Sequence, residues 1–289
     1  MAKHPPTVRM RRLGAELRKI REELGLALEE ASTLLNISKS ALHRMENAQV
    51  IVRTHEVDYF LIKYEVLDQA LGESLRGLAG AGRSKEWVKR HANLSPTPVI
   101  SDAVRLEQDS ARIRTFQPNV VPGLLQTPEY ARAVMRSRPP VGDRDYDSSV
   151  AFRMARQEAL TRPNPAFLDA VISETVLRQM TGGAEVMAGQ LHRLLEASRT
   201  PNVRLRVLPF SATTLPSPEG AFTVLDVESG DFTLAFIEGL IQAIFLEGDD
   251  DVARYSVVFE RVCAAALSEP DSYALVEQAL RDIGGEGSR

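Results

Sequence analysis

Residues 28–46, LEEASTLLNISKSALHRME, restrict the fold more than any other stretch of the chain. Leu28, Ala31, Ser32 and Leu35 recur at helical spacing and stop at Asn36-Ile37, and a second helical pattern, 39–46, begins almost at once. Helices joined by so few residues must turn sharply and brace one another. That demands small residues where they touch, and a turn residue that tolerates a left-handed backbone. Ala31 and Ser32 meet the first demand and Asn36 the second. Ser38 can cap the second helix with its hydroxyl. In that helix Leu42 and Met45 face one way, while Lys39, Ser40, His43 and Arg44 face largely the other.

More helical patterns surround this pair. Met10, Leu13, Leu17, Ile20 and Leu24 mark a helix over 9–24 that Gly25 can stop; Val57, Phe60, Leu61 and Tyr64 mark another, and Leu71, Leu75 and Leu78 a third. The expectation is an all-α domain over 9–80 built around a helix-turn-helix. Periodicity alone fits two readings equally: a second helix that enters a nucleic-acid groove, and a generic helical bundle with a solvated polar face. Charge bears on the choice. The chain carries a formal net charge of -4, but residues 1–53 hold ten Lys/Arg against six Glu, +4, which leaves -8 for the remainder. An acidic chain with a basic first segment can still meet a polyanion there.

Residues 81–99 read as a linker in which Trp87, the only tryptophan, is expected to pack against one of the domains. Beyond it, 100–282 reads as an α+β domain, so the expected fold class is α+β overall. Helical patterns over 101–115, 128–137, 143–160, 184–198, 249–267 and 270–282 alternate with β-like runs at 166–173, 203–210, 221–227, 232–239 and 241–248. The last two are separated by little more than Gly239 and Leu240, as in a hairpin, and the expected sheet is small and mostly antiparallel. The prolines and glycine of FQPNVVPGLLQTPEY mark a fixed, apolar loop.

Little in the chain suggests catalysis. Asp169 with Glu174, and Glu238 with Glu247, are paired carboxylates without a third partner; His4, His43, His55, His91 and His192 are scattered without ligand spacing. Cys263 sits in the apolar FERVCAAAL, as a small core residue does, and AGAG at 79–82 lacks the lysine of a phosphate loop. The expectation is no enzyme, no cofactor and no metal. No apolar run approaches the roughly 20 residues that span a bilayer, and the basic start lacks an apolar signal core. A cytoplasmic protein with no membrane contact is expected.

The segment LGAELRKIREELGLALEEASTLLNISKSALHRMENA resembles the helix-turn-helix of the XRE family, the repressor and Cro type, through LGAELRKIRE, Gly25-Leu26, Glu29-Glu30, Leu35, Ser38, Ser40 and Arg44 to Asn47. IRTFQPNVVPGLLQTPEYARAV, RMARQEALTRPNP, PNVRLRVLPFSA and VARYSVVFERVCAAALSEPDSYALVEQAL resemble the C-terminal domain of unknown function that follows this motif in actinobacterial, antitoxin-like regulators. The resemblance implies a transcriptional regulator that binds double-stranded DNA. Lys39, Ser40, Ala41, His43 and Arg44 would face the groove, with Asn47 and Arg53 as candidate phosphate contacts. It implies a homodimer, a small protein partner for some members, and a C-terminal domain that mediates dimerisation or a response to partner or ligand. The dimer interface is expected in 100–289, because the first domain reads as short of spare apolar surface. The chain departs from the family where Thr-Gln is replaced by Ala27-Leu28, where two glycines are replaced by Asn36 and Ala48, and at Leu34, where a charge is common. Those departures keep a second reading open, an antitoxin-like module that works mainly by binding a small protein.

Overall fold

The computed structural model describes residues 6–80, 84–91, 98–137, 145–213, 220–228, 230–238 and 243–286. The chain divides into two units, Met1–Glu86 with Val227–Phe232, and Trp87–Asp226 with Thr233–Arg289.

The first unit is built on α1 (Val8–Glu23), α2 (Leu28–Leu34), α3 (Lys39–Glu46), α4 (Thr54–Lys63) and α5 (Gln69–Ala79). Thr7, Ser38 and Asp68 start α1, α3 and α5 by accepting the backbone N–H of Met10, Ala41 and Leu71 at 3.3, 3.1 and 3.0 Å. The first four helices stop by one device. Gly25, Asn36, Ala48 and Glu65 adopt the left-handed conformation, with φ of 69°, 49°, 54° and 52°. The next N–H then bonds back across the last turn: Leu26 to Arg21, Ile37 to Ser32, Gln49 to Arg44 and Val66 to Leu61, at 2.8–3.1 Å. Only the first of these stops is a glycine. Leu13, Leu17, Ile20, Leu42, Val57, Phe60, Leu61, Leu75 and Leu78 are buried, and α1 packs on α3 and α5, α2 on α3, and α4 on α5.

The second unit has α7 (Pro98–Asp109), β1 (Ser110–Gln117), α8 (Pro128–Ser137), α9 (Tyr146–Arg156), β2 (Phe167–Ser173), α10 (Glu174–Arg178), α11 (Ala184–Ala197) and β3 (Val203–Leu208). Then come β4 (Phe222–Val227), β5 (Phe232–Glu238), β6 (Ala243–Leu246), α12 (Asp249–Ala265) and α13 (Glu269–Glu286). Helix α6 (Ser84–Arg90) lies ahead of α7 and contains the boundary between the units. The strands form one sheet in the order β3-β2-β1-β4-β5-β6.

The α+β class stands, but the sheet is mixed where the sequence predicts a mostly antiparallel one. β1 pairs parallel with β2 and β2 parallel with β3, whereas β5 and β6 are antiparallel. The cause lies in the connections: α8 and α9 separate β1 from β2, and α10 and α11 separate β2 from β3. Crossovers of that length return the chain in the same direction. A second correction concerns 101–115, predicted as one helix. The helix ends at Asp109 and the chain continues as β1. Val104 and Leu106 are buried in α7, but from Arg112 to Arg114 polar and apolar residues alternate, which is the strand period. In the molecule β1 lies between β2 and β4, and its neighbours on both sides decide its conformation.

One side of the sheet buries Phe116, Val171, Leu208, Phe222, Val224 and Ala235 against Phe259 and Val262 of α12. On the other side Ile113, Leu168, Ala170, Ile172 and Val207 are buried. The outer edge of β3 is closed locally: Leu267 N–H donates to the Val207 carbonyl, and the Val207 N–H donates to Ser272 Oγ, both at 2.9 Å. The loop VVPGLLQT is fixed from within. Gln126 donates to the Val121 carbonyl at 2.7 Å, Gln190 donates to the Leu125 carbonyl and accepts from Thr127 N–H at 2.8 Å each, and Val121 N–H donates to Tyr130 Oη at 3.2 Å. Trp87 is buried in this second unit; its indole N–H donates to the Ala155 carbonyl at 3.1 Å, and its ring meets Phe152 edge-on at 5.7 Å. Residues 81–83 and 92–97 of the expected linker, 143–144 of the expected helix, and the Gly239–Leu240 turn with 241–242 lie outside the described residues.

Candidate nucleic-acid interface

Helix α3 is held by an ion pair that sequence reasoning missed. Arg21 of α1 grips Glu46 in the last turn of α3 through both oxygens, Nε to Oε1 at 2.7 Å and Nη2 to Oε2 at 3.0 Å, with only 9% and 3% of the two side chains exposed. A third donor, Nη1, bonds the Leu26 carbonyl at 2.9 Å, so one guanidinium fixes α1, the α1–α2 turn and α3. The hydrogen bond to Glu46 outweighs desolvation and raises the Arg21 pKa. Removing either partner leaves a buried charge, which typically costs about 3–5 kcal/mol. Glu46 falls within the RMEN run quoted above, but no periodicity shows that it points inward.

Close packing completes the clamp. A Cβ placed on Gly14 would lie 2.6 Å from the Glu46 carbonyl oxygen and 2.8 Å from that of Met45. Helix α1 therefore crosses the end of α3 at backbone distance. Tyr59 of α4 donates to the Leu35 carbonyl at 3.2 Å and ties down the end of α2.

With Leu42 and Glu46 turned inward, the opposite face of α3 is exposed. Lys39, Ser40, His43 and Arg44 are exposed there, as are Asn47 at its end and Arg53 just ahead of α4; Ala41 is half-buried. The helix thus brings Lys39, Ser40, His43 and Arg44 together, while Arg53 stands on a different element. Their partners differ. Lys39 pairs with Glu29 of α2 at 2.5 Å, an exposed contact of the kind worth little and readily exchanged. Arg44 bends its Nε to the Ser40 carbonyl at 3.3 Å, and Asn47 donates to the His43 carbonyl at 2.8 Å. Neither Arg44 nor Arg53 takes part in an ion pair among the described residues. The Arg53 backbone N–H donates to Glu56 at 2.7 Å, which starts α4.

The departures at α2 and at the turns have local answers. Ala27 gives no side-chain cap, but its N–H donates to Glu30 at 2.7 Å, so half of a capping box remains. Asn36 and Ala48 both adopt the left-handed conformation that favours glycine.

Asp169 and Glu174 have different partners. Asp169 is buried among arginines, whereas Glu174 accepts from Arg178 and from the Phe210 N–H at 2.9 Å. Burial pushes the Cys263 thiol up to about 11, against the pull of Arg206, so it is no thiolate at neutral pH. Among the described residues no three His, Cys, Asp or Glu are grouped to hold a metal, and no helix is long and apolar enough to cross a membrane.

A short first helix, a left-handed turn and a clamped second helix with a polar outer face define a helix-turn-helix protein of the XRE-like type. Residues 12–75 match the family described as a helix-turn-helix domain. Residues 100–278, more than half of the chain, match the family described as Domain of unknown function (DUF5753), and the chain belongs to that family. Neither a curated protein nor a solved structure matches the chain.

Proposed function

We propose that the protein is a sequence-specific DNA-binding transcriptional regulator that places α3 in the major groove. The observation that carries this reading is the clamped helix: α3 is fixed from behind by Arg21–Glu46 and shows Lys39, Ser40, His43 and Arg44 to solvent. Arginine and lysine hold phosphates or read guanine edges, and hydroxyls and exposed amides suit the backbone. Arg44 is the principal base-reading candidate, Asn47 and Arg53 are the phosphate candidates, and Lys39 exchanges Glu29 for a phosphate on binding. Binding by these groups releases counterions, so affinity falls steeply as salt rises.

The test is a titration of labelled genomic fragments, followed by the selected operator at several salt concentrations. Arg44→Ala is expected to weaken specific binding by about 1–3 kcal/mol, while Arg53→Ala weakens it evenly across sequences and lowers the salt slope by about one. Equal affinity of the Arg44 variant for every fragment would remove that residue from the recognition set.

A protein-interaction role, with a second copy or with a small partner protein, is favoured by a different observation. Ile51, Ile62 and Leu67 of the first unit are 71%, 73% and 95% exposed. Apolar side chains so open to water suit a protein contact better than a nucleic-acid one. If no genomic fragment shifts while a partner protein co-purifies with the chain, this second role replaces the first.

A further inference from the structure

Strands β1, β2 and β3 run parallel with Arg114, Asp169 and Arg204 in register. Side chains two residues apart on a strand share a face. Arg112, Arg114, Phe167, Asp169, Arg204 and Arg206 therefore leave the sheet on one side. Farther along that side Phe116, Val171 and Leu208 lie under α12. At the edge of that cover three guanidinium groups close on a single carboxylate; Arg206, level with Val171, also donates to Cys263 Sγ of α12 at 2.8 Å. Arg206 donates to Asp169 Oδ1 at 2.6 Å, Arg112 donates to Oδ2 at 3.3 Å, and Arg204 lies 3.7 Å from Oδ2. Asp169 is only 2% exposed, whereas the Arg112 and Arg204 side chains are 47% and 41% exposed. The carboxylate is a floor and the two arginines are a rim.

Stability alone does not ask for this arrangement. One arginine satisfies a buried carboxylate, and each further one adds repulsion between like charges. Three guanidinium forks offer on the order of fifteen N–H donors against roughly four acceptor positions on the carboxylate. Arg206 keeps a buried Nε with no partner. Arg204 has one more carboxylate, Glu269 at 2.9 Å, but that residue's side chain is 54% exposed and can be displaced. Without Glu269, three arginines and Asp169 leave a charge of +2, in the part of the chain that is otherwise acidic.

We propose that Arg112, Arg204 and Arg206 form a binding site for a phosphate dianion, either free or as the monoester of a small molecule. The dianion matches the uncompensated charge, and its several terminal oxygens accept from forks that arrive from two strands. Arginine is the residue suited to such multiple, planar contacts. Asp169 is the positioning residue: it aims the guanidinium groups and limits their mutual repulsion, and it does not touch the ligand. The site belongs to the second unit and α3 to the first, and the proposal does not depend on the DNA-binding reading.

The experiment titrates the full-length protein with inorganic phosphate and, separately, with phenyl phosphate, ionic strength being held constant with chloride. Heat, thermal midpoint and the Nε–H NMR signals of Arg112 and Arg204 are followed. Saturable binding of one anion per chain is expected, with shifts in those two arginine signals and a weak response to acetate. Tighter binding of phenyl phosphate assigns the site to a monoester, and tighter binding of phosphate assigns it to the free ion. Arg112→Gln and Arg204→Gln, both on the exposed rim, should each weaken binding about tenfold or more without unfolding the unliganded chain, whose midpoint shifts only slightly as repulsion and exposed contacts are lost together. Arg112→Lys keeps the charge but loses the fork, and should bind more weakly than the natural chain. Arg44→Ala should bind phosphate unchanged, which separates this site from anions collecting on α3. Non-saturable binding, unmoved arginine signals, an equal response to acetate, or glutamine variants that bind like the natural chain would each overturn the proposal.

Discussion

Tyr64 ends α4 with its ring buried and its hydroxyl without a hydrogen-bond partner. Burial, then the nearby Glu46 charge, pushes its pKa up to about 12. An unfolded phenol titrates near about 10. Below that both states keep the proton and the stability is fully present. As pH rises from there towards the folded value, only the unfolded chain ionises, so stability is lost. Tyr64→Phe removes the unsatisfied hydroxyl and is expected to stabilise the protein by about 1 kcal/mol at pH near 8. It should also flatten the alkaline loss. Urea unfolding of both proteins across that range checks it, and a less stable phenylalanine variant would mean that the hydroxyl has a partner. The left-handed stops make a second residue-scale case. Ala48 is buried, so glycine there relieves the backbone but loses a packed methyl, worth about 0.8 kcal/mol. Glu65 is exposed and loses nothing of that kind. Relief of about 1–2 kcal/mol exceeds the entropic cost of glycine, about 0.5–1 kcal/mol. Glu65→Gly should therefore raise stability by roughly 0.5–1 kcal/mol, and an unchanged or lower unfolding midpoint would show that the strain is absent.

At the scale of elements, the α1–α3 crossing sets the angle at which α3 is presented. Gly14→Ala would drive a methyl into the Glu46 and Met45 carbonyls, and the helices must part. Overpacking of this kind costs roughly 1–3 kcal/mol. A lower thermal midpoint together with weaker operator binding is expected; a variant with normal stability would mean that α1 can slide without disturbing α3. Such backbone contacts are invisible in sequence. The helices of the first unit were legible because Leu13, Leu17 and Ile20, and then Leu28, Ala31 and Leu35, recur at helical spacing and Ser38 offers a cap. Where they stop was only partly legible, since Ala48 and Glu65 carry no sign of a left-handed residue. In the second unit β2 was legible as a short, largely apolar run, FLDAVIS, interrupted only by Asp169. β1 was not read, because its alternation in SARIRTFQ is short and follows directly on a helical pattern, and its partners lie far along the chain. The exposed face of α3 could be read from Leu42 alone. The inward Glu46 could not, because its partner Arg21 sits 25 residues earlier.

For the whole molecule, the proposed reading of DNA requires two copies to pair. A single helix-turn-helix contacts only a few base pairs, and two-fold sites are read by dimers. The sequence places the interface in 100–289 on the ground that the first domain lacks spare apolar surface. Among the described residues the first unit does show apolar side chains to solvent: Leu24, Leu34, Ile51, Tyr59, Ile62 and Leu67 are exposed there, and Met180, Phe210, Ile244 and Val257 are exposed in the second. Tyr59 and Ile62, three apart on α4, share a face, and Lys63 lies over the Tyr59 ring at 5.7 Å. The face contains no residue of the α3 reading set, so a copy docked there would leave Arg44 open. The edge strand β6 is the competing surface, with Ile244 43% exposed. The expected outcome is a full-length homodimer at micromolar concentration by sedimentation. Ile62→Glu should shift it to monomer with unchanged circular dichroism, because a buried interfacial carboxylate without a partner is costly whereas the same change on an exposed monomer surface is not. Ile244→Glu should leave the mass of the dimer intact. If Ile244→Glu splits the dimer and Ile62→Glu does not, the copies are joined through the edge of the sheet. If the natural chain sediments as a monomer, the exposed side chains of α4 serve a different partner, and the two-fold reading of DNA loses its basis.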